Sequence, residues 1–301
     1  MRETMRYREN GSFTIVQFTD LHVGGEDMEQ DARTLSLTRR VMELEEPDLV
    51  IYSGDMLYGS EVKDPVRLLQ QVVSFSESQK TPFAVIFGNH DAESCASREE
   101  LLQGLSAFRM LVSKAGPEHI HGVGNDVLRI LGSDGDNPAS LLYLFDSGEM
   151  APPEVGGYAW IHLDQIEWYR EQSAYYRVQA DMPLPSLAFF HIPIPEYRDA
   201  CERGKVSGTK NESVCSPILN SGLFTAMLEC GDVIGTFAGH DHENDYVADW
   251  HGIRLAYGRV TGYGGYGNLK RGARVIRLTE GKRDFKTWVR LEDGSVMKDE
   301  H

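Results

Sequence analysis

The fold is indicated by residues 83–91, which read FAVIFGNHD. A short apolar run ends abruptly in polar residues, and the same arrangement occurs at residues 13–22 (FTIVQFTDLH) and 49–55 (LVIYSGD). Apolar runs of this length, rich in Val, Ile and Phe, are typical of buried strands. Residues 31–45 and 64–79 lie between these runs and show helical periodicity. The order βαβαβ predicts an α/β fold with a largely parallel sheet and polar residues at the carboxyl ends of its strands.

The remainder of the chain continues the alternation and then becomes richer in strands. Two more apolar runs end in histidine, at residues 187–191 and 233–242. Capping boxes predict helix starts at Ser97 with Glu100 and at Asp164 with Glu167. Further strands are predicted at residues 245–248, 253–257, 273–278 and 285–291. No repeat or long linker interrupts residues 1–301, so we expect one domain, with frayed ends at residues 1–11 and 292–301.

Composition restricts the classes of partner. The 301 residues include 30 Lys and Arg against 46 Asp and Glu, a formal net charge of −16. This balance argues against a protein that binds nucleic-acid grooves and against one that binds membrane surfaces, because both classes usually bind phosphate groups through positively charged side chains. The four cysteines show no CxxC spacing, the first eleven residues lack the apolar core of a signal peptide, and no stretch approaches a membrane span. We expect a cytoplasmic protein.

Side chains suited to metal binding follow the predicted strands. A two-metal site needs oxygen and nitrogen ligands from several loops at one sheet edge, with a carboxylate that bridges ions about 3.5–4 Å apart. Asp20 and His22 are two residues apart, so in an extended segment their side chains would project from the same face and could bind one ion. Asp55 is suited to bridging the two ions. The remaining predicted ligands are Asn89, His191 and His240 for the second ion and His242 for the first. Carboxylates mixed with imidazoles suit Mn, Fe or Zn.

Five blocks in this order resemble the signature of the calcineurin-like metallophosphoesterases. They are DxH at 20–22, GD at 54–55, GNHD at 88–91, His191 and GHxH at 239–242. The resemblance implies a four-layer α/β/β/α sandwich, in which two mixed sheets pack face to face between helices. It also implies a dinuclear metal centre at one end of the sheets and hydrolysis of a phosphoester by a hydroxide that bridges the two ions.

Three longer segments narrow the resemblance to one branch. FHIPIPEY at 190–197, NSG at 220–222 and GHDHENDY at 239–246 resemble the dosage-dependent cell-cycle regulator phosphatases and the plant purple-acid-phosphatase-like proteins. True purple acid phosphatases carry a tyrosine ligand three positions after the bridging aspartate and lack the histidine of the first block. This chain has both Tyr58 and His22, so we expect Tyr58 to support the site rather than bind iron.

The resemblance and the charge placement together suggest a mechanism. Two metal ions would polarise the phosphoryl oxygens and lower the pKa of the bridging water toward 7. His90 follows the predicted ligand Asn89 without being needed as a ligand, and the family uses the corresponding histidine near the phosphate. We therefore expect His90 to protonate the leaving alkoxide as general acid. Asp91 is a second catalytic candidate that either orients His90 or braces the loop, and Asp241 is expected to support the site.

The sequence therefore predicts a cytoplasmic, metal-dependent phosphohydrolase, acting on phosphomonoesters of small molecules or proteins. Two alternatives stay open. A phosphodiesterase or nuclease would use the same dinuclear site, although the charge of −16 disfavours a nuclease. A catalytically silent metal-binding scaffold would regulate a partner through its surface. The basic residues between 198 and 210 either recognise a second charged group of the substrate or form a solvated loop. The metal pair and the oligomeric state stay undetermined.

Overall fold

The computed structural model describes residues 5–298. The strands in this range are β1 (Ser12–Phe18), β2 (Leu49–Ser53), β3 (Phe83–Ile86), β4 (Asp126–Leu131), β5 (Pro138–Leu144), β6 (Ser186–Phe189), β7 (Lys205–Ser207), β8 (Val233–Ala238), β9 (Val247–Trp250), β10 (Ile253–Tyr257), β11 (Gly272–Thr279), β12 (Phe285–Leu291) and β13 (Val296–Lys298). The helices are α1 (Met28–Glu45), α2 (Pro65–Ser78), α3 (Arg98–Gly104), α4 (Leu163–Ala180), α5 (Glu196–Arg203) and α6 (Leu223–Cys230).

The strands form two mixed sheets. One sheet has the order β13-β12-β11-β1-β2-β3, in which β1, β2 and β3 are parallel and β11, β12 and β13 are antiparallel to their neighbours. The other has the order β4-β5-β6-β8-β10-β9-β7, with a parallel centre from β5 to β10. The parallel centres place the carboxyl ends of β1, β2, β3, β6 and β8 at one edge of the molecule.

Three apolar clusters separate four layers. The cluster between the sheets joins residues such as Phe13 and Ile51 of the first sheet to Leu187 and Phe237 of the second. A second cluster packs the other face of the first sheet against α1, α2 and α3, and a third packs α4, α5 and α6 on the second sheet. Because both faces of the central strands are buried, their sequences are continuous apolar runs. The predicted α/β/β/α sandwich of two mixed sheets is confirmed.

The predicted helix starts are right at one position and wrong at the other. Ser97 and Glu100 form the expected reciprocal capping box at the start of α3. The box predicted at Asp164 with Glu167 is wrong, because the N-cap of α4 is His162, two residues earlier, and its backbone N–H donates to the side chain of Gln165. Asp164 instead accepts hydrogen bonds from the backbone and ring of His121.

Parts of both segments expected to be frayed, residues 5–11 and 292–298, are described and make tertiary contacts. Tyr7 is buried, and its hydroxyl lies 2.7 Å from that of Ser140. At the other end, β13 pairs with β12, and the side chain of Glu292 accepts a hydrogen bond from the hydroxyl of Tyr263. The rest of the two predicted frayed segments, residues 1–4 and 299–301, lies outside the described residues.

The cysteines and helices bear on two further expectations. Cys95, Cys201, Cys215 and Cys230 are all free thiols, as the absence of paired spacing indicates. Within residues 5–298, every helix is too short or too polar to cross a membrane.

Candidate active site

The predicted site residues lie just beyond the carboxyl ends of five strands. Asp20 and His22 follow β1, Asp55 follows β2, Asn89 and His90 follow β3, His191 follows β6, and His240 and His242 follow β8. Glycines allow these loops to approach one another. Gly54 has a φ of +100°, and a Cβ at this position would lie 2.4 Å from Nδ1 of His191. A side chain at residue 54 would therefore displace a predicted ligand.

Four of the predicted ligands have left-handed backbone conformations. The φ angles of Asp20, His22, Asp55 and His240 are +54°, +45°, +50° and +78°. Non-glycine residues rarely adopt this region, and when they do they often cluster at functional sites. Asp20 and His22 therefore converge for a reason other than the extended segment expected from their spacing. The chain turns sharply at each of them.

The structure brings six of the seven predicted ligands into two buried clusters. One contains Asp20, His22 and His242, and the other contains Asp55, His191 and His240. Within each cluster, the candidate ligand atoms all lie within 4.8 Å of one another. Asp55 Oδ2 lies 3.0 Å from Nε2 of His191 in its own cluster and 3.8 Å from Nε2 of His22 in the other. Asp55 thus lies between the two clusters, as expected of a bridging carboxylate.

Asn89, the seventh predicted ligand, carries an unsatisfied polar atom. The residue is buried, and its side-chain Oδ1 has no hydrogen-bond partner among the described residues. A buried carbonyl oxygen without a partner is unfavourable, so such an atom needs an explanation. A metal ion beside the second cluster would provide one, because amide oxygen is a suitable ligand for a cation. The donor set and this orphaned oxygen fit metal ions.

Hydrogen bonds orient two of the histidines. Nδ1 of His191 donates to the carbonyl oxygen of Ser53 at 2.9 Å, and Nδ1 of His242 donates to the carbonyl oxygen of Tyr266 at 3.2 Å. In the neutral ring, such a bond selects the tautomer in which Nδ1 carries the proton and Nε2 is free to bind a metal ion. His242 Nε2 lies 3.1 Å from Nε2 of His22. Two imidazole nitrogens this close can share a hydrogen bond or bind one cation.

The electrostatics of the clusters also favour bound positive charge. Burial lowers the pKa of His22 to about 4 and that of His240 to about 3. Burial opposes the charge of His191 as well, but the carboxylate of Asp55 outweighs it and raises the pKa of His191 to about 9. Burial likewise opposes ionisation of Asp20, yet the hydrogen bond and charge of His242 lower its pKa to about 2. The carboxylates stay ionised and draw positive charge to the neighbouring rings, so the clusters favour a bound cation.

Asp91 braces the loops rather than orienting His90. Its buried carboxylate accepts hydrogen bonds from the backbone N–H groups of Asp55, Met56, Leu57 and Gly88, at 2.8–3.0 Å. Burial and the nearby charge of Asp55 raise the pKa of Asp91 to about 6. Of the two roles considered for Asp91, the geometry supports bracing.

His90 has a different carboxylate partner, which the sequence analysis missed. Nδ1 of His90 lies 2.9 Å from Oε2 of Glu93, and both side chains are about two-fifths exposed (40% each). The His90 backbone N–H donates to Oδ1 of Asp55 at 2.9 Å. Burial disfavours the charged ring, but Asp55 and Glu93 outweigh it and raise the pKa of His90. The His-x-x-Glu spacing was the available signal, although it is too common to be informative alone.

Arg98 is a second residue that the sequence analysis did not identify. Its guanidinium is buried, pairs with the carboxylate of Asp146, and donates to the carbonyl oxygens of Gly88 at 2.8 Å and Gly148 at 3.0 Å. Gly88 precedes Asn89, so Arg98 ties the loop after β3 to the end of β5. No local sequence signal marks this contact, because Asp146 is 48 residues away.

The remaining candidates lie beside the clusters without belonging to them. Tyr58 belongs to neither cluster; its ring packs edge-on against His22, with centroids 6.3 Å apart. The Asp241 carboxylate accepts from the hydroxyl of Tyr257 at 2.5 Å and from the backbone of Cys215, and burial raises its pKa to about 6. The basic residues between 198 and 210 lie in α5 and in the segment that follows it, and they do not line the cleft above the clusters.

Together, these features define a class: an α/β protein of two mixed sheets whose strand ends bring two adjacent clusters of metal-ligand side chains together. The family model described as calcineurin-like phosphoesterase matches residues 13–244. The chain belongs to this family and is a metallophosphoesterase. The family acts on phosphoesters with two divalent metal ions, in keeping with the two candidate clusters.

Relatives agree with the predicted branch. The chain is 32% identical to "Probable inactive purple acid phosphatase 14" of Arabidopsis thaliana, over 97% of this chain and 84% of that protein. It is 31% identical to "Phosphatase DCR2" of Saccharomyces cerevisiae, over 96% of this chain and 55% of that protein. A dimetal phosphatase from Danio rerio has a TM-score of 0.64 at 14% identity, covering 96% of this chain and 99% of that one. The last likeness supports the fold.

Proposed function

We propose that this protein hydrolyses phosphomonoesters at two metal ions held by the predicted ligands. The observation that carries the proposal is the pair of buried clusters, which meet at Asp55 beneath an open cleft. The first ion would be held by Asp20, His22, Asp55 and His242, and the second by Asp55, Asn89, His191 and His240. Carboxylate, amide and imidazole donors without a thiolate favour Mn, Fe or Zn.

When bound, two such ions supply the positive charge that polarises a phosphoryl group and lowers the pKa of water toward 7. The protein contributes rigid placement. Asp91 fixes the backbone of residues 55–57, and Ser53 and Tyr266 fix the rings of His191 and His242. Placement of this kind matters because an error of about 1 Å in a reacting group can reduce the rate about 100-fold.

His90 is the proposed general acid. It lines the cleft, and its ring centroid lies 5.4 Å from that of His22. Because Nδ1 is engaged by Glu93, Nε2 is the nitrogen that serves the substrate. As the ester P–O bond breaks, a proton passes from Nε2 to the leaving-group oxygen, so an alcohol departs instead of an alkoxide. Glu93 orients the ring and stabilises its protonated form.

The test compares p-nitrophenyl phosphate with bis-p-nitrophenyl phosphate, using protein purified without chelators and loaded with Mn, Fe or Zn. The proposal expects kcat/KM for the monoester to exceed that for the diester by at least about tenfold, a difference near 1.4 kcal/mol in transition-state stabilisation. The reverse ranking would favour the phosphodiesterase alternative. Metal binding without turnover of either ester would favour the silent regulatory scaffold. The Arabidopsis relatives are named as probable inactive purple acid phosphatases.

Several finer features remain predictions of the sequence. These are the single domain over residues 1–301, the cytoplasmic location, the native metal pair, and the choice between protein and small-molecule substrates. Elemental analysis of the purified protein, coupled to a panel of phosphoesters, addresses the metals and the substrates together.

A further inference from the structure

The cleft above the clusters has an unusual charge for a site that receives a phosphoester. It encloses about 410 Å³, and its lining includes four of the predicted ligands, the carboxylates Glu93 and Asp241, and three tyrosines. Among residues 5–298, every lysine and arginine lies outside this lining. Arg271 approaches from behind, but its guanidinium donates to the carbonyl oxygens of Gly265 and Tyr266, both at 3.1 Å. Beyond the metals and the predicted ligands, the cationic side chain of this lining is the ring of His90, which is already paired with Glu93.

The acidic groups make a second anion unfavourable. Glu93 lines the cleft, and one of its oxygens is engaged with the ring of His90. A substrate with a carboxylate or a second phosphate near its ester would bring that charge toward the carboxylates of Glu93 and Asp241, whose like charge opposes it, while His90 is already paired with Glu93. The leaving group that this cleft accepts therefore carries no further negative charge.

The tyrosines supply the apolar surface of the cleft. They come from three separate loops, and each packs against a different predicted ligand histidine. Tyr58 packs against His22, Tyr158 against His240 with centroids 4.3 Å apart, and Tyr266 against His242 with centroids 4.1 Å apart. Tyr58 and Tyr266 remain 38% and 55% exposed, so substantial ring surface is left for a ligand. Aromatic surfaces favour aromatic partners over saturated ones of equal size.

We infer that the leaving group of the substrate is aromatic and carries no additional anionic group. This inference deepens the proposed phosphomonoesterase activity and rests on it for the position of the phosphate. The phosphoryl group would lie over the metal clusters, while the aromatic ring of the ester would lie among Tyr58, Tyr158 and Tyr266. Phenolic phosphates fit this description, whereas sugar bisphosphates and phosphorylated carboxylic acids do not.

The first experiment measures binding of phosphonates, which are not hydrolysed, to Mn-loaded protein by calorimetry. Phenylphosphonate, cyclohexylphosphonate and 4-carboxyphenylphosphonate form a matched set. We expect phenylphosphonate to bind about fivefold more tightly than the cyclohexyl compound, in the range of aromatic pair preferences. We expect the 4-carboxyphenyl compound to bind at least about tenfold more weakly than phenylphosphonate because of repulsion by Glu93 and Asp241. Equal affinities for all three would overturn the inference.

The second experiment tests the tyrosines. Tyr158→Ala should reduce the preference for phenylphosphonate over cyclohexylphosphonate to less than about twofold, while Tyr158→Phe, which keeps the ring, should retain it. Tyr175→Ala removes an exposed tyrosine of α4 that lies outside the cleft and serves as the control. Metal content is measured in every variant, because Tyr158 also packs against His240. An unchanged preference in Tyr158→Ala with normal metal content would contradict the role given to this ring.

The two proposals fail in different ways. Turnover of p-nitrophenyl phosphate together with equal phosphonate affinities would leave the phosphomonoesterase standing and remove the inferred substrate class. The expected ranking of phosphonates without turnover of any ester would support the aromatic ligand class and remove the hydrolytic function.

Discussion

The carboxylate of Asp91 holds the backbone of Asp55. Its Oδ2 accepts a 3.0 Å hydrogen bond from the N–H of Asp55, whose own Oδ2 lies between the two clusters. The same carboxylate reaches the next two N–H groups of the loop and that of Gly88. Asp55 has a φ of +50°, a conformation that needs support from its surroundings. Asp91 therefore connects the loops after β2 and β3 at the point where the predicted bridging ligand lies.

The substitution Asp91→Asn tests this role. It replaces one acceptor oxygen with an N–H donor that faces the backbone N–H groups, so at least one buried donor is left unsatisfied. We expect the free energy of unfolding to fall by about 1–3 kcal/mol, measured by urea denaturation with metal present and absent. Asp134→Asn, at an exposed position, is the matched control and should change stability by less than about 0.5 kcal/mol. Equal effects of the two substitutions would remove the bracing role.

Metal binding should stabilise the fold. The clusters hold ionised carboxylates and imidazole nitrogens in positions that exist only in the folded chain, so ions bind the native state selectively. At a metal concentration 100 times the dissociation constant, the expected gain is about 2.7 kcal/mol for each site. Calorimetric scans of chelated protein titrated with Mn should show a rising Tm. Asp55→Asn should abolish most of this increase, since Asp55 lies between both clusters. If added metal raised the Tm of Asp55→Asn as much as it raises the Tm of the original protein, the bridging assignment would be contradicted.

His90→Ala should separate metal binding from turnover. His90 belongs to neither cluster, so metal content should stay near that of the original protein. Loss of a general acid typically reduces the rate about 100- to 10,000-fold, and we expect kcat for a phosphomonoester with a poor leaving group to fall in this range. For p-nitrophenyl phosphate the loss should be smaller, because its leaving group needs less protonation. Glu93→Gln, which keeps a hydrogen-bond acceptor but removes the charge, should give an intermediate loss. Undiminished kcat in His90→Ala would remove the general-acid assignment.

The sequence predicts the parallel centres of the fold better than their margins. Runs such as Val233–Ala238 are buried on both faces, and this makes them continuous and easy to recognise. β4 and β5 were not predicted, because β4 is an edge strand with an exposed Arg129 between apolar residues and its neighbour opens on Pro138. The start of α4 was misplaced because its N-cap residue is His162, which is not among the residues preferred at this position, so only Gln165 marks the helix start.

The site was more predictable in its membership than in its geometry. Residues of the kind that bind metals follow the strands directly, so the convergence of those after β1, β2 and β3 could be inferred from their parallel order. His191, His240 and His242 follow strands of the other sheet, and the family resemblance was needed to bring them to the same site. The left-handed conformations of Asp20 and His22 could not be inferred from the sequence, because they depend on tertiary contacts such as the backbone hydrogen bond from His22 to Asp55. The partners Glu93 and Arg98 were missed for a similar reason. Their roles arise from loop geometry and from contacts distant in sequence, which leave no periodic signal.

Arg98 provides the sharpest test of how the second sheet supports the site. Its guanidinium pairs with Asp146 at the end of β5 and holds the carbonyl of Gly88, next to the predicted ligand Asn89. Arg98→Ala leaves a buried carboxylate without its cation, so we expect a loss of about 3–5 kcal/mol in unfolding free energy. Arg98→Lys keeps the charge but cannot reach Asp146 and the carbonyl of Gly88 with one planar group. We therefore expect a clear fall in kcat with a smaller loss of stability than in Arg98→Ala.

The matched control for Arg98 is the exposed pair of Arg170 and Glu229, whose side chains are 42% and 58% accessible. Arg170→Ala should change stability by no more than about 1 kcal/mol, because solvent screens such pairs, and should leave kcat unchanged. Urea denaturation and steady-state kinetics on the same samples separate the two effects. If Arg98→Lys matched the control in both measurements, the loop that carries Asn89 and His90 would have to be held in place by Asp91 and by the backbone alone.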